Sequence, residues 1–298
     1  MKTKSLKNKK PADIIFVIVN TLILGLFTVA ILYPIINTVA YSFNDGTDAL
    51  RGGVYFWPRK FSLKNYQMVF GKELLWTATK ISVLRTVIAT VSQLFVTSLL
   101  AYILSRKEFL FRKQVSFIYV LTMYVSGGLI PTFVLFKNMG LTNSFWVYIL
   151  PGMVSAFNMI VIRTFMNGLP DSLVESAQVD GAGHFTIFMK IVLPLCKPVL
   201  ATVALFIAVG QWNSWFDAML YNRTASNLTT LQYELMKLLS SVMNQGGNAE
   251  TMKNAANTIS PLTMRAATTV ITALPIVCLY PFLQKYFVTG MTIGGVKE

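Results

Sequence analysis

Charge is scarce in this chain. Asp, Glu, Lys and Arg make up 13% of its 298 residues, against 54% hydrophobic, whereas a soluble domain carries roughly a quarter charged residues. Acidic side chains are the scarcer sign, with 12 Asp and Glu against 26 Lys and Arg. There is one histidine, His184, so no His cluster can bind a metal. The two cysteines, Cys196 and Cys278, both lie in apolar runs. They read as small core hydrophobes and not as a disulfide framework or a metal site. No G-x-x-x-x-G-K-[ST] phosphate loop occurs, so the chain is not expected to hydrolyse ATP. Neither a paired-acid nor a His-based set of catalytic residues stands out, which argues against a membrane enzyme.

What is abundant is apolar sequence in long runs. A bilayer core of about 30 Å needs roughly 20 apolar residues of helix. Six stretches meet this, at about 14–39, 80–104, 114–136, 144–167, 198–221 and 266–288. Backbone groups left unpaired in lipid are too costly, so each is expected to be a helix. The expected fold class is therefore all-α, a polytopic membrane protein with six transmembrane helices. The run from Ile14 to Val39 is too long for a signal-peptide core and reads as an uncleaved anchor.

The net charge of +14 would suggest nucleic-acid binding in a soluble protein. Here the basic residues flank apolar runs, as topology signals do. Lys2, Lys4, Lys7, Lys9 and Lys10 place the N-terminus in the cytoplasm, and six spans return the C-terminus to the same side. The short 2–3 connection then lies inside with Arg106, Lys107, Arg112 and Lys113. The chain is thus expected to be multi-pass in a membrane, with both termini cytoplasmic and no nucleic-acid partner. Arg85 is the deepest intramembrane charge, and snorkelling to the nearer interface is its expected arrangement. Prolines at 34, 131, 151, 194, 198, 275 and 281 are expected to kink the spans.

The inner segment between spans 4 and 5 differs from a plain loop. It reads Gly168-Leu-Pro-Asp-Ser-Leu-Val-Glu-Ser-Ala-Gln-Val-Asp-Gly181 and continues through His184 to Ile191-Val-Leu-Pro194. Ser172-x-x-Glu175 has the capping-box pattern. Leu173, Val174 and Ala177 give a short apolar face, and Gly181 can take the positive φ that ends a helix. Phe185, Phe188 and Ile191 space a second short helix up to Pro194. The segment predicts a helix-turn-helix at the cytoplasmic face.

These residues resemble the signature of type I ABC importer permeases: Glu-Ala-Ala, three residues, Gly, nine residues, Ile-x-Leu-Pro. The matching positions are Glu175, Ala177, Gly181, Ile191, Leu193 and Pro194, with Ser176 the one departure. The resemblance implies a coupling helix within 171–190 that docks in a separate ATPase. The C-terminal stretch Pro281 to Lys297, Phe61 to Phe70 in the first outer loop, and Gly127-Gly-Leu-Ile-Pro131 resemble the carbohydrate-uptake (MalG/LplC-like) group.

That resemblance implies import of a carbohydrate, an oligosaccharide in particular, with an ABC permease for a non-sugar solute as the alternative. It implies a second, MalF-like permease, two ATP-binding-cassette ATPase subunits and an extracytoplasmic substrate-binding protein as partners in the lipid bilayer. No cofactor belongs to this chain; ATP and Mg would be bound by the ATPase. The expected organisation is 1–75 for the tail, first span and first outer loop, 76–283 for the ABC transmembrane domain, and 284–298 for a cytoplasmic tail. Gly294, Gly295 and Lys297 are candidates for contact with the ATPase subunits. In Gln211-Trp-Asn-Ser-Trp-Phe-Asp217, Trp212 and Asn213 are candidates for the substrate pathway, since aromatic faces and amides suit sugars. Outer loop 222–265 is a candidate contact for the binding protein.

Overall fold

The computed structural model describes residues 11–71, 73–245 and 260–293, with the backbone alone for 241–245 and 279–293. Among the described residues every extended regular element is a helix, with one isolated bridge between Asn44 and Phe61. Among the described residues three helices are long and apolar enough to cross a membrane: α1 (Pro11–Ser42), α2 (Glu73–Ser105) and the last helix, which runs Pro261–Ile293. Helix α1 exposes Ile15, Phe16, Leu22, Leu26, Phe27 and Val29 along its length, as expected where lipid is the solvent.

The middle of the chain departs from six unbroken spans. The stretch 114–136 is two ten-residue helices, α3 (Arg112–Leu121) and α4 (Leu129–Asn138). Between them Gly128 takes φ +84°, a conformation that glycine adopts without a Cβ penalty. The stretch 144–167 is Phe145–Gly152 followed by α5 (Ala156–Met166) with a 47° bend. The fifth stretch starts where expected, as α7 (Lys197–Asn213), bent by 85° from the short helix before it, α6 (His184–Leu195). Counting each bent pair as one span gives up to five membrane-crossing elements among the described residues. Helix α7 stops at Asn213, and a short helix, Phe216–Tyr221, follows in place of a continuous run to residue 221.

The chain divides into two compact units, 1–71 with 238–271, and 72–237 with 272–298. In the first, Asn65 is a buried hub. Its Nδ2 donates to the carbonyls of Ser42 (2.9 Å) and Asn44 (2.8 Å), and its Oδ1 accepts from Thr263 Oγ1 (2.9 Å). In the second, α2 turns small side chains inward, with Ala78, Ala89, Ser98 and Ala101 all at 0% exposure. Small residues let backbones approach closely where no hydrophobic drive separates helices from lipid. Helices α5 and α7 pack on this stripe, and Met159, Ile162, Phe188, Val192 and Cys196 complete the core.

Candidate functional site

Two places in the second unit carry features that a mere scaffold does not require. The first is the segment after α5. Its helix runs Ser172–Val179, burying Val174 and Ala177 while Leu173 stays largely exposed. It ends as the sequence predicts: Gly181 has φ +80°. Its N–H donates to Gln178 O (2.9 Å), and that of Ala182 to Ala177 O (2.9 Å), the paired bonds of a Schellman termination.

The start of that helix corrects the capping-box expectation. Asp171, not Ser172, occupies the cap position, and its side chain makes no capping bond. Its carboxylate instead accepts from Lys107 Nζ at 2.6 Å. An ion pair with a full positive charge outcompetes a backbone amide for the carboxylate, and the first turn closes through the carbonyls of Pro170 and Asp171. The hydrogen bond and charge of Lys107 hold the Asp171 carboxyl below the usual carboxylate range, and Asp171 raises Lys107 in return. Glu175 is exposed on the helix surface.

The second short helix also differs from expectation. It passes through Pro194 to Leu195, with a π turn over Phe188–Val192. Proline lacks the N–H that an α-helix would use there, and a π turn absorbs the register change. Ile191 and Leu193 are half-buried against the core, and Pro194 is exposed.

The second place differs from the sequence expectation. Arg85 does not snorkel; it is 2% exposed. Its Nη2 and Nη1 donate to Asp217 Oδ2 (2.5 Å) and Oδ1 (3.1 Å). Gln211 Oε1 accepts from Nη2 (2.7 Å) and Nε (3.1 Å), and the guanidinium lies 4.3 Å from the centre of the Tyr148 ring. A buried cation requires an anion and full hydrogen bonding, and the break after α7 turns Asp217 back to supply it. The one sequence signal was the polar run Gln211 to Asp217 near an apolar end.

Trp212 and Asn213 lie elsewhere on α7. The Trp212 indole is buried, its Nε1 donates to Thr272 O (2.8 Å), and it borders an apolar groove with Val83, Val87 and Pro275. Asn213 is exposed at the helix end. Gly294, Gly295 and Lys297 lie outside the described residues, as does 246–259 of the second long outer loop.

Comparison with known proteins agrees with this architecture. Residues 4–293 match the family described as binding-protein-dependent transport system inner membrane component. This chain belongs to that family. As an inner membrane component it is a multi-pass membrane protein and a transport subunit. It is 36% identical over 273 residues to the polygalacturonan/rhamnogalacturonan transport system permease protein YtcP of Bacillus subtilis, covering 91% of this chain and 94% of that one. Against Protein LplC of the same organism the identity is 37% over 284 residues, 95% of each chain. In structure it is similar to a chain of a bacterial ABC transporter involved in the import of the acidic polysaccharide alginate. That match has TM-score 0.84 and 32% identity and covers 94% of this chain and 99% of that chain.

Proposed function

We propose that this inner membrane component is the permease subunit of an ATP-binding-cassette importer that carries an oligosaccharide across the cytoplasmic membrane. The observation that carries the reading is likeness, over nine-tenths of both chains, to the polygalacturonan/rhamnogalacturonan transport system permease protein YtcP. The alginate importer chain supports it at the level of the fold and at 32% identity. The chain spans the membrane six times in this reading, with both termini cytoplasmic. The two ten-residue helices Arg112–Leu121 and Leu129–Asn138 together serve as the third span.

Residues 171–190 transmit force from a separate pair of ATPase subunits, with Glu175, Ala177, Gly181, Ile191, Leu193 and Pro194 forming and supporting the docking surface. What supports this is the geometry. The helix Ser172–Val179 is fixed at its start by Lys107 and at its end by Gly181, so a push on its exposed face reaches α2 and α6. A second, MalF-like permease completes the pore, and an extracytoplasmic binding protein delivers the sugar. ATP and Mg belong to the ATPase.

The test is the ligand of the cognate binding protein, purified from its native source and identified by mass spectrometry. An oligosaccharide is the expected result. An amino acid or a metal ion in its place would establish the alternative, a permease for a non-sugar solute.

A further inference from the structure

A cavity of about 350 Å³ opens beside the Arg85 cluster, at the low end of the roughly 300–1,000 Å³ of small-ligand sites. Phe136 and Tyr221 form its aromatic side, their ring centres 5.4 Å apart, and Arg85, Gln211 and Asp217 its polar side. Gly210 completes the wall, and a Cβ built there meets nothing within 4 Å.

The chemistry on offer follows from the hydrogen-bond inventory. A guanidinium has five N–H donors and accepts nothing. Here Nε and Nη2 take Gln211 Oε1, both Nη atoms take Asp217, and Nη1 also reaches Ser214 O at 3.5 Å. All five donors are thereby engaged, and the charge of Arg85 is spent on Asp217. Because Arg85 only donates, Gln211 must turn its carbonyl oxygen toward it and its NH₂ away. That NH₂ makes no hydrogen bond among the described residues. Asp217 is 24% exposed at its side chain and keeps acceptor capacity beyond its bonds to Arg85 and to its neighbour's amide, Ala218 N. The cavity therefore offers a free donor pair, a partly free acceptor and an apolar aromatic wall.

We propose that this cavity is a subsite for an uncharged glycosyl unit, its hydroxyls held by Gln211 and Asp217 and its C–H face against Phe136 and Tyr221. A hydroxyl both donates and accepts, so it satisfies both polar groups at once. A uronate carboxylate would meet Asp217 with no unspent cation among the described lining residues, and like charges in such a site repel. The subsite rests on the reading of the chain as a sugar permease and assigns it a direct role in selecting the sugar.

The experiment uses the complete importer, with its partner permease, ATPase subunits and binding protein, in proteoliposomes. A panel of short oligosaccharides pairs each neutral sugar with its uronate counterpart. Sugar imported per ATP hydrolysed is read at saturating liganded binding protein. A misfolded fraction lowers uptake and hydrolysis together and leaves this ratio unchanged, whereas loss of a sugar contact lowers it. Gln211→Glu keeps two oxygens for Arg85 and removes the NH₂, and Gly210→Leu fills the cavity from a position with open space. With a neutral sugar as the best wild-type cargo, Gln211→Glu is expected to lower the ratio about threefold to tenfold, the scale of one hydrogen bond, and Gly210→Leu to lower it as well. A uronate as the best wild-type cargo, or ratios unmoved in both variants, overturns the subsite while leaving sugar import standing. Import of no sugar in the panel, with another solute imported instead, overturns the sugar reading itself and the subsite with it.

Discussion

Arg85 and Asp217, 132 positions apart in the chain, form a two-pronged ion pair in which the arginine is 2% exposed. The pair ties the middle of α2 to the short helix Phe216–Tyr221 after the break at Ser214, and Gln211 holds it from the end of α7.

Removing one member of such a pair leaves the other charge uncompensated. Arg85→Met is expected to destabilise the second unit by about 3 kcal/mol, the lower end for buried pairs because Asp217 retains some solvent contact. Arg85→Met combined with Asp217→Leu is expected to recover most of that loss. Thermal unfolding of the purified complex, followed by tryptophan fluorescence, checks both. Equal destabilisation by the single and double variants would show that the pair does not act as a unit.

Gly181 sits at φ +80° with open space around its Cα, so a side chain there is penalised by backbone conformation and not by a clash. Gly181→Val is expected to destabilise the Schellman turn by about 1–2 kcal/mol and to uncouple ATP hydrolysis from transport. Gly181→Asn, which tolerates the left-handed region better, is expected to retain a larger share of coupling. Transport per ATP in the reconstituted complex distinguishes the two, and normal coupling in Gly181→Val would remove the segment from the coupling path.

This turn was legible in the sequence because its cause is local: a glycine at a fixed distance from a short apolar helix face. The break before Leu129 also had a local cue, the pair Gly127-Gly128 ahead of Pro131. The Arg85 pair had no cue near Arg85 itself, only the polar run 211–217 far along the chain, and only folding brings that run beside α2. For the same reason Asp171 read as a neighbour of a capping box, when its partner Lys107 lies 64 positions away. The break at Cys196 falls where the sequence ends a short helix at Pro194 and begins a span at 198, whereas the break at Ser214 had no such cue, because the apolar composition of 198–221 sets burial in lipid but not where a helix turns.

Asp45 caps the helix Gly46–Ala49, accepting from the N–H and hydroxyl of Thr47 and from Asp48 N. The Thr47 hydroxyl holds the Asp45 carboxyl below its ordinary range, and the Asn44 amide does the same for Asp48. A lowered carboxyl stabilises the fold above its ordinary value of about 3.9 and loses that contribution as pH falls through the lowered one. Amide exchange of residues 47–49, corrected for intrinsic rates, is therefore expected to be flat between pH 5 and 7. Asp45→Ala is expected to accelerate it about fivefold at pH 7, equivalent to about 1 kcal/mol of cap. Loss of protection already at pH 5 in the parent protein would contradict this account.

The proposed topology places Val179 inside and Trp57 outside; both side chains are over 80% exposed, at 88% and 81%. In a Cys278→Ser background, with Cys196 buried, Val179→Cys is expected to react with a membrane-impermeant maleimide only from the cytoplasmic face. Trp57→Cys is expected to react only from the opposite face. Labelling of both from the same side would overturn the span count.

The proposed function makes this chain part of the path for ATP-driven import of an oligosaccharide. The most direct measurement is uptake of labelled oligosaccharide into proteoliposomes that hold the complete complex, with the binding protein on the outside and ATP within. The account predicts accumulation that requires ATP, the binding protein and this subunit together, and that falls sharply in Gly181→Val. ATP hydrolysis stimulated by the binding protein with no oligosaccharide accumulating, while an amino acid or metal ion does, would contradict it.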